Sequence, residues 1–441
     1  MAFIRKYLLT AAVGLLAYVN LQAQTVYYPA GQSQLLRSTA EDMAMQLQKA
    51  VAGSHFTAEQ YSTTMPSGGI VLIYDQSITA NQTCKVKSNG SNLISFTAGQ
   101  DNGLCYGVYE YLYQLGFRFY QPGSVWEVIP VLNSPYKHID TTYTCHFKYK
   151  NWFISGGCNT WAMDRNSNYY WDTYYGELGH EYALYQRRNN MVGAYRFAGH
   201  RDDVLTPAYK TELQNNPCYV APYNGSRAAT GQSVPDINNV AAMQLWANGI
   251  ENKYSSFRNT IFGNTALYAN YVKNFEYNYG NIGIEVPDGA KWANSETNDC
   301  GNKAFPRESD QHFLLANFTA AAISNSLPGK TFQLYAYDSH ADVPSSKITI
   351  HQNIDVQVVP TAFHFETSAK GLMNRWYGRS NQISEYHYLN LAQWSGETPS
   401  FYLKDLEQTI QRLKEKNSQG IIWEASASKF ASLPFLLAAN T

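Results

Sequence analysis

The sequence predicts an α/β fold, a (β/α)8 TIM barrel preceded by a small α/β domain. Three observations predict it. Apolar strand-like runs recur eight times between residues 146 and 423. Helix-like stretches fall between several of them. Residues 24–140 carry a strand and helix pattern of their own.

The elements follow in chain order. Residues 1–23 read as a signal peptide. Arg5 and Lys6 form a basic start, an apolar run follows to Leu21, and Ala23 is the small residue before cleavage. The mature chain is expected to begin at Gln24 and to be exported, to the periplasm, the cell surface or the medium. No later segment has the apolar length of a membrane span. In 24–140, helical spacing runs over 38–51, with Met43, Met45, Leu47 and Val51 near one face. Strands are expected at 69–74, 92–97 and 117–120. A helix over 107–115 is stopped by Gly116.

Residues 145–441 form the expected barrel. Its strands are 146–154, 191–197, 218–222, 281–286, 331–337, 354–359, 382–387 and 420–423. Helices are expected at 177–189, 238–254, 309–326 and 402–416. A doubly wound sheet is the alternative, but it does not need eight strands. The chain ends at Thr441, which leaves only 430–439 towards a closing helix, so a truncated barrel is expected.

Composition bounds the function. The 441 residues are 44% apolar, enough to bury a large core. Lys and Arg number 33 and Asp and Glu 34, a net charge of -1. That balance argues against a nucleic-acid partner, which needs a basic face. Aromatic residues make up 15%, including 35 Tyr and 9 Trp. Their flat faces and polar tips suit sugar rings, although a rigid Tyr-rich fold has the same composition. None of the six cysteines forms a C-x-x-C pair, so neither a thiolate metal site nor a redox centre is expected. In an oxidising compartment Cys84 and Cys105 are candidates to pair.

Several motifs fail. There is no G-x-S-x-G elbow, no Walker A loop and no dinucleotide-binding fingerprint. His180-Glu181 begins like a zinc-protease motif, but Leu184 stands where the second histidine belongs. No cofactor is expected.

What remains is a set of acids at predicted strand ends, where barrel chemistry sits. Strand four runs into Glu285-Val286-Pro287-Asp288-Gly289, and strand five into Tyr337-Asp338-Ser339-His340. Strand seven holds Glu385-Tyr386-His387-Tyr388, strand eight ends Trp423-Glu424, and strand two runs to His200. Glycoside hydrolysis needs one carboxyl to protonate the leaving oxygen and a second group to stabilise or attack the positive centre. Glu285, Asp288, Glu385 and Glu424 are the catalytic candidates. Glu285 reads equally as the partner of a barrel cation, and Asp288 as a plain turn residue. Trp152, His200, Tyr337, Asp338, Tyr386 and Trp423 are the substrate-binding candidates.

The stretch Gly107-Val108-Tyr109-Glu110-Tyr111-Leu112-Tyr113-Gln114-Leu115-Gly116-Phe117-Arg118-Phe119-Tyr120, followed by Pro122-Gly123 and Trp126, resembles the domain that precedes the barrel in α-glucuronidases and β-hexosaminidases. Arg188-Asn189-Asn190-Met191, Gly199-His200, Pro287-Asp288-Gly289, Leu334-Tyr335-Ala336-Tyr337 and the stretch 420–425 resemble the family of domain of unknown function 4838. Part of that family is glycoside hydrolase family 163. The resemblance implies a retaining, substrate-assisted endo-β-N-acetylglucosaminidase whose partner is an oligosaccharide or a glycoprotein N-glycan. The Asp-Gly turn carries the resemblance more clearly than an acid at 285. A non-catalytic glycan-binding protein of an uptake system and an exo-acting hexosaminidase or α-glucuronidase are the alternatives.

Overall fold

The computed structural model describes residues 23–31, 34–80, 82–120, 123–154, 184–191, 200, 207–263, 281–295, 300, 306–360, 369–380, 382–388 and 403–425. Almost all of the expected leader lies outside them. The chain divides into two units, Met1–Cys145 and His146–Thr441.

The first unit contains β1 (Ala23–Pro29), α1 (Gln34–Ala50), β2 (His55–Tyr61), β3 (Gly69–Tyr74), β4 (Thr83–Ser88), β5 (Leu93–Ala98), α2 (Asp101–Leu115), β6 (Arg118–Phe119), β7 (Glu127–Val128) and β8 (Ile139–Thr144). Its main sheet runs β2-β1-β3-β5-β4-β8. The first four strands are parallel, while β4 is antiparallel to β5 and to β8. Leu36, Met43 and Leu47 of α1 and Leu104, Val108 and Leu112 of α2 share one core with Val26, Ile70, Leu72 and Phe96 of the sheet. Gly116 ends α2 at φ 105, and its N–H reaches the carbonyls of Leu112 and Tyr113. Cys84 and Cys105, the candidates to pair, are not joined by a disulfide. Cys105 Sγ lies 3.0 Å from Thr39 Oγ1, both cysteines are buried, and burial pushes the Cys84 thiol up to about 12.

The second unit contains β9 (Tyr149–Ile154), α3 (Pro207–Asn215), α4 (Val240–Gly263), β10 (Asn281–Gly283), α5 (Glu308–Ile323), β11 (Thr331–Ala336), β12 (Ile354–Val358), α6 (Ala369–Trp376), β13 (Ile383–Tyr388), α7 (Leu403–Glu415) and β14 (Gly420–Ala425). Its sheet runs β10-β11-β12-β13-β14-β9, all parallel, so the last strand pairs with the first. Helices α5, α6 and α7 each link neighbouring strands. Two of the eight expected strands are not seen here. Of 191–197 only Met191 is described. At 218–222 a 3-10 turn occupies Pro217–Tyr219 and a single bridge joins Val220 to Pro235. Pro217, Pro222 and Pro235 lack the N–H groups a ladder needs, and Cys218 is tied to Cys300 by a disulfide.

Period-two alternation sorts the six strands into two faces. Phe332, Leu334, Val356, Val358 and Ile383 join Trp246 of α4, Phe313 of α5 and Trp376 of α6 in one large core. The opposite face is polar and aromatic. There, buried Asp355 of β12 accepts hydrogen bonds from Tyr149 Oη of β9 at 2.7 Å, Gln333 Nε2 of β11 at 3.0 Å and Ser384 Oγ of β13 at 3.0 Å. In the sheet order, β9 stands three strands from β12. In a flat sheet that separation is roughly 14 Å, beyond the reach of one tyrosine. The sheet therefore curls around its polar face, placing that face inside.

No helix among the described residues is long and apolar enough to cross a membrane. Two outcomes test the arrangement. Peptide mapping without reduction is expected to recover Cys218 linked to Cys300, with Cys84 and Cys105 as thiols. A Cβ at Gly420 would lie 2.3 Å from the Tyr149 carbonyl oxygen. Gly420→Ala is therefore expected to cost about 1–3 kcal/mol in chemical denaturation, because backbone must shift to admit it.

Candidate active site

The parallel strands end together, and the residues just beyond them share one rim. Strand β10 leads into the turn at Asp288-Gly289. Gly289 has φ +66 and abuts Gln232, whose Nε2 donates to the Asp288 carbonyl at 3.2 Å. The turn holds the Asp288 carboxylate out, 66% exposed, with one oxygen 3.8 Å from His200 Nε2. His200 Nδ1 lies 3.2 Å from the Val286 carbonyl. A carbonyl only accepts, so Nδ1 carries the proton and donates, leaving Nε2 to face Asp288.

From the inner face of β11 and β13 rise two tyrosine pairs, Tyr335 with Tyr337 and Tyr386 with Tyr388. Each pair is spaced by two, as residues on one face must be. The rings form a chain. Tyr386 lies 5.2 Å from Tyr335 and 5.5 Å from Tyr388, and His200 lies 5.4 Å from Tyr335 and 5.7 Å from Tyr337. Glu424 of β14 is in register with Tyr388. It accepts a 2.5 Å hydrogen bond from Tyr386 Oη and is only 9% exposed.

Burial raises the Tyr337 and Tyr388 hydroxyls, and the charges of Asp288 and Glu424 raise both further. Burial likewise holds Tyr386 well above its ordinary value, with Tyr335 and Glu424 adding to it. All three phenols are therefore neutral O–H donors at physiological pH. The charges of Asp288 and Glu424 are both felt at the Tyr337 and Tyr388 hydroxyls. Asp338, at φ 48 just after Tyr337, adds a third negative charge beside that ring. Two carboxylates, a histidine and a wall of neutral phenols supply proton transfer, charge stabilisation and a stacking surface.

The other predicted residues lie elsewhere. Glu285 is fully buried. Its Oε2 accepts the Tyr335 N–H at 2.6 Å, its Oε1 lies 3.2 Å from His340 Nε2, and His312 Nε2 lies 3.6 Å from Oε2. Burial pushes this carboxyl up, but His312, His340 and His200 outweigh it and hold it down to about 2. His312 is lowered to about 3, chiefly by burial. Glu285 thus lacks the raised value a general acid needs.

Glu385 points to the opposite face from Tyr386. It is buried, and it accepts from Tyr377 Oη at 3.0 Å, His387 Nε2 at 2.6 Å, and Arg412 Nε and Nη2 at 3.2 and 2.6 Å. Trp423 is fully buried and in register with His387, on that same outer side. Trp152 pairs in register with Trp423. Its side chain lies outside the described residues. The structure therefore brings together Asp288, Glu424, Tyr337, Tyr386, His200 and Asp338, turns Glu385 and Trp423 to the outer side, and buries Glu285 beneath Tyr335 with its carboxylate committed to the Tyr335 N–H and His340. Tyr335 and Tyr388 were not among the predicted site residues. Their spacing of two from Tyr337 and Tyr386 was the available signal.

A parallel, inward-curled sheet with helices linking its strands is the arrangement of barrel-type α/β folds. The chain is similar in fold to a family GH115 4-O-methyl-α-glucuronidase with specificity for decorated arabinogalactans, at TM-score 0.51 and 11% identity. That match covers 95% of this chain and 56% of the glucuronidase, so the chain spans little more than half of that protein. It is also similar to the β-N-acetylhexosaminidase from Bacteroides fragilis NCTC 9343, at TM-score 0.48 and 10% identity, over 95% of this chain and 86% of that one. For the GH20 exo-β-N-acetylglucosaminidase from Vibrio harveyi, solved with N-acetylglucosamine, the values are 0.46, 10%, 95% and 70%. No curated protein matches the sequence. The chain belongs to the family described as a domain of unknown function, DUF4838, whose model matches residues 136–433.

Glu385 generates a prediction about stability. Burial raises its carboxyl, but His387 and Arg412 outweigh that and leave it below the ordinary glutamate value. The carboxylate thus contributes stability that is complete above the unfolded value of about 4.3 and is lost as pH falls through the lower folded value. Glu385→Gln strands Arg412 and is expected to cost on the order of 3 kcal/mol at neutral pH. Denaturation curves are expected to show the gap between wild type and variant narrowing in acid.

Proposed function

We propose that this chain is an exported glycoside hydrolase on a (β/α)8 barrel, with Asp288 and Glu424 as its working carboxylates. The observation that carries the reading is a continuous run of side chains from one acid to the other: Asp288 lies beside His200, His200 packs on Tyr335, Tyr335 on Tyr386, and Tyr386 Oη donates to Glu424. Export is supported by the leader-like residues 1–23 and by the Cys218–Cys300 disulfide, a bond that persists in oxidising compartments.

Tyr386 commits its hydroxyl proton to Glu424. Glu424 is therefore the negative partner, which faces the developing oxocarbenium charge or orients the 2-acetamido group of an N-acetylglucosaminide. Asp288, in the open mouth beside His200 Nε2, delivers the proton to the leaving oxygen. The phenols of Tyr337 and Tyr388 then donate to sugar hydroxyls, and their rings offer a stacking face. The substrate class is a β-N-acetylglucosaminide, and the resemblance to family 163 points to internal cleavage of N-glycans by a retaining, substrate-assisted route.

The test is a glycan panel that includes intact N-glycoproteins, with released products read by mass spectrometry. Asp288→Asn and Glu424→Gln are each expected to lower kcat/KM by about 100-fold or more while circular dichroism stays unchanged. An aryl glycoside with a good leaving group is expected to restore Asp288→Asn but not Glu424→Gln, because only the former lacks the acid. Glycan binding without turnover by the wild type, or wild-type rates in both variants, overturns the reading.

A further inference from the structure

Behind the rim lies a second cluster for which the glycosidase chemistry has no use. It is built from three consecutive elements of the fold. Glu285 follows β10, His312 sits early in α5, and His340 ends the turn after β11. All three are buried, and one ligating atom from each lies within 4.8 Å of the others. The two imidazoles meet edge to face at 4.2 Å, with the Trp292 ring 5.5 Å from one and 6.0 Å from the other.

The hydrogen bonding leaves this cluster incomplete. His340 Nε2 and the Tyr335 N–H already serve the two oxygens of Glu285. His312 is a surplus member. Its Nε2 points at Glu285 Oε2 from 3.6 Å, too far for a hydrogen bond. Neither of its ring nitrogens has a hydrogen-bond partner among the described residues, and His340 Nδ1 has none either. A buried imidazole with both nitrogens unserved is costly unless something else engages it.

We propose that Glu285, His312 and His340 bind one first-row divalent cation, with zinc as the fitting ion. Two imidazoles and a carboxylate are the borderline donor set that zinc accepts. Bonds of about 2.0–2.1 Å to the metal place neighbouring donors of a tetrahedron about 3.3 Å apart. His340 Nε2 stands 3.2 Å from Glu285 Oε1 and His312 Nε2 stands 3.6 Å from Oε2, both near that edge, so the carboxylate offers a separate oxygen towards each imidazole. The Tyr335 N–H, donating to Glu285 Oε2, steadies the carboxylate from outside the ligand set.

The site is independent of the glycosidase reading, and its test does not use activity. The full chain without a histidine tag is dialysed against zinc chloride, freed of excess and analysed by mass spectrometry for metal. About one zinc per chain is expected, together with a thermal midpoint that falls on adding a chelator and recovers with zinc. Cobalt in its place is expected to give visible d–d absorption. His312→Gln and His340→Gln are expected to lose the metal and the absorption, with affinity falling more than about 100-fold. Wild-type protein that holds no zinc after dialysis, gives no cobalt spectrum and melts at the same temperature with and without chelator overturns the proposal. These three measurements need only the wild type, so misfolded variants leave the outcome decided.

Discussion

Everything in the second unit depends on a buried carboxylate at the centre of its sheet. Asp355 accepts hydrogen bonds from β9, β11 and β13 while standing on β12. An isolated carboxylate in that position is prohibitive, and three donors are what make it tolerable. The donors come from strands that a flat sheet holds too far apart. Satisfying Asp355 and curling the sheet are therefore one event. Curling sets the next layer, where Tyr149, Tyr335, Val359, Tyr386 and Ile422 pack together. The layer above that is the rim that carries Tyr337, Tyr388 and Glu424.

The two faces of the sheet decide the fate of its acids. Glu385 and Glu424 lie on neighbouring strands, and each follows or precedes an aromatic residue. Glu424 faces the interior, where a tyrosine hydroxyl meets it, while Glu385 faces the helices, where Arg412 of α7 meets it. A shift of one position in either strand would exchange these environments.

That phase explains what was legible in the sequence. Strands β3, β11 and β14 were visible as short runs rich in apolar residues, and β12 and β13 as short runs of β-branched or aromatic residues interleaved with polar ones. The acids at their ends were visible too. Which way each acid points was not. In Glu385-Tyr386-His387-Tyr388 both alternating sets are polar or aromatic, so neither is marked as the core side. Glu285 illustrates a second kind of blindness. Its partners His312 and His340 come from later elements, and no local pattern announces them. The stretch at 218–222 was misread because its apolar residues serve the core from a turn: Val220 and Ala221 are buried there without a strand. Cysteine pairing did not follow proximity in sequence, since the bond joins residues 82 apart within the second unit.

The pairing of β14 with β9 has a consequence for how the chain is made. Tyr149 waits for Gly420, which a ribosome adds roughly 270 residues later, so the contact that completes this sheet is among the most non-local in the protein. Among the described strands β9 pairs with β14 alone, so that edge of β9 is open to other chains until β14 arrives. The first unit has no such delay, because its strands β1 to β5 find their partners within one short stretch of chain. Vectorial synthesis thus gives this protein a first unit whose strands pair as it emerges and a second unit whose β9 pairs with β14 only late.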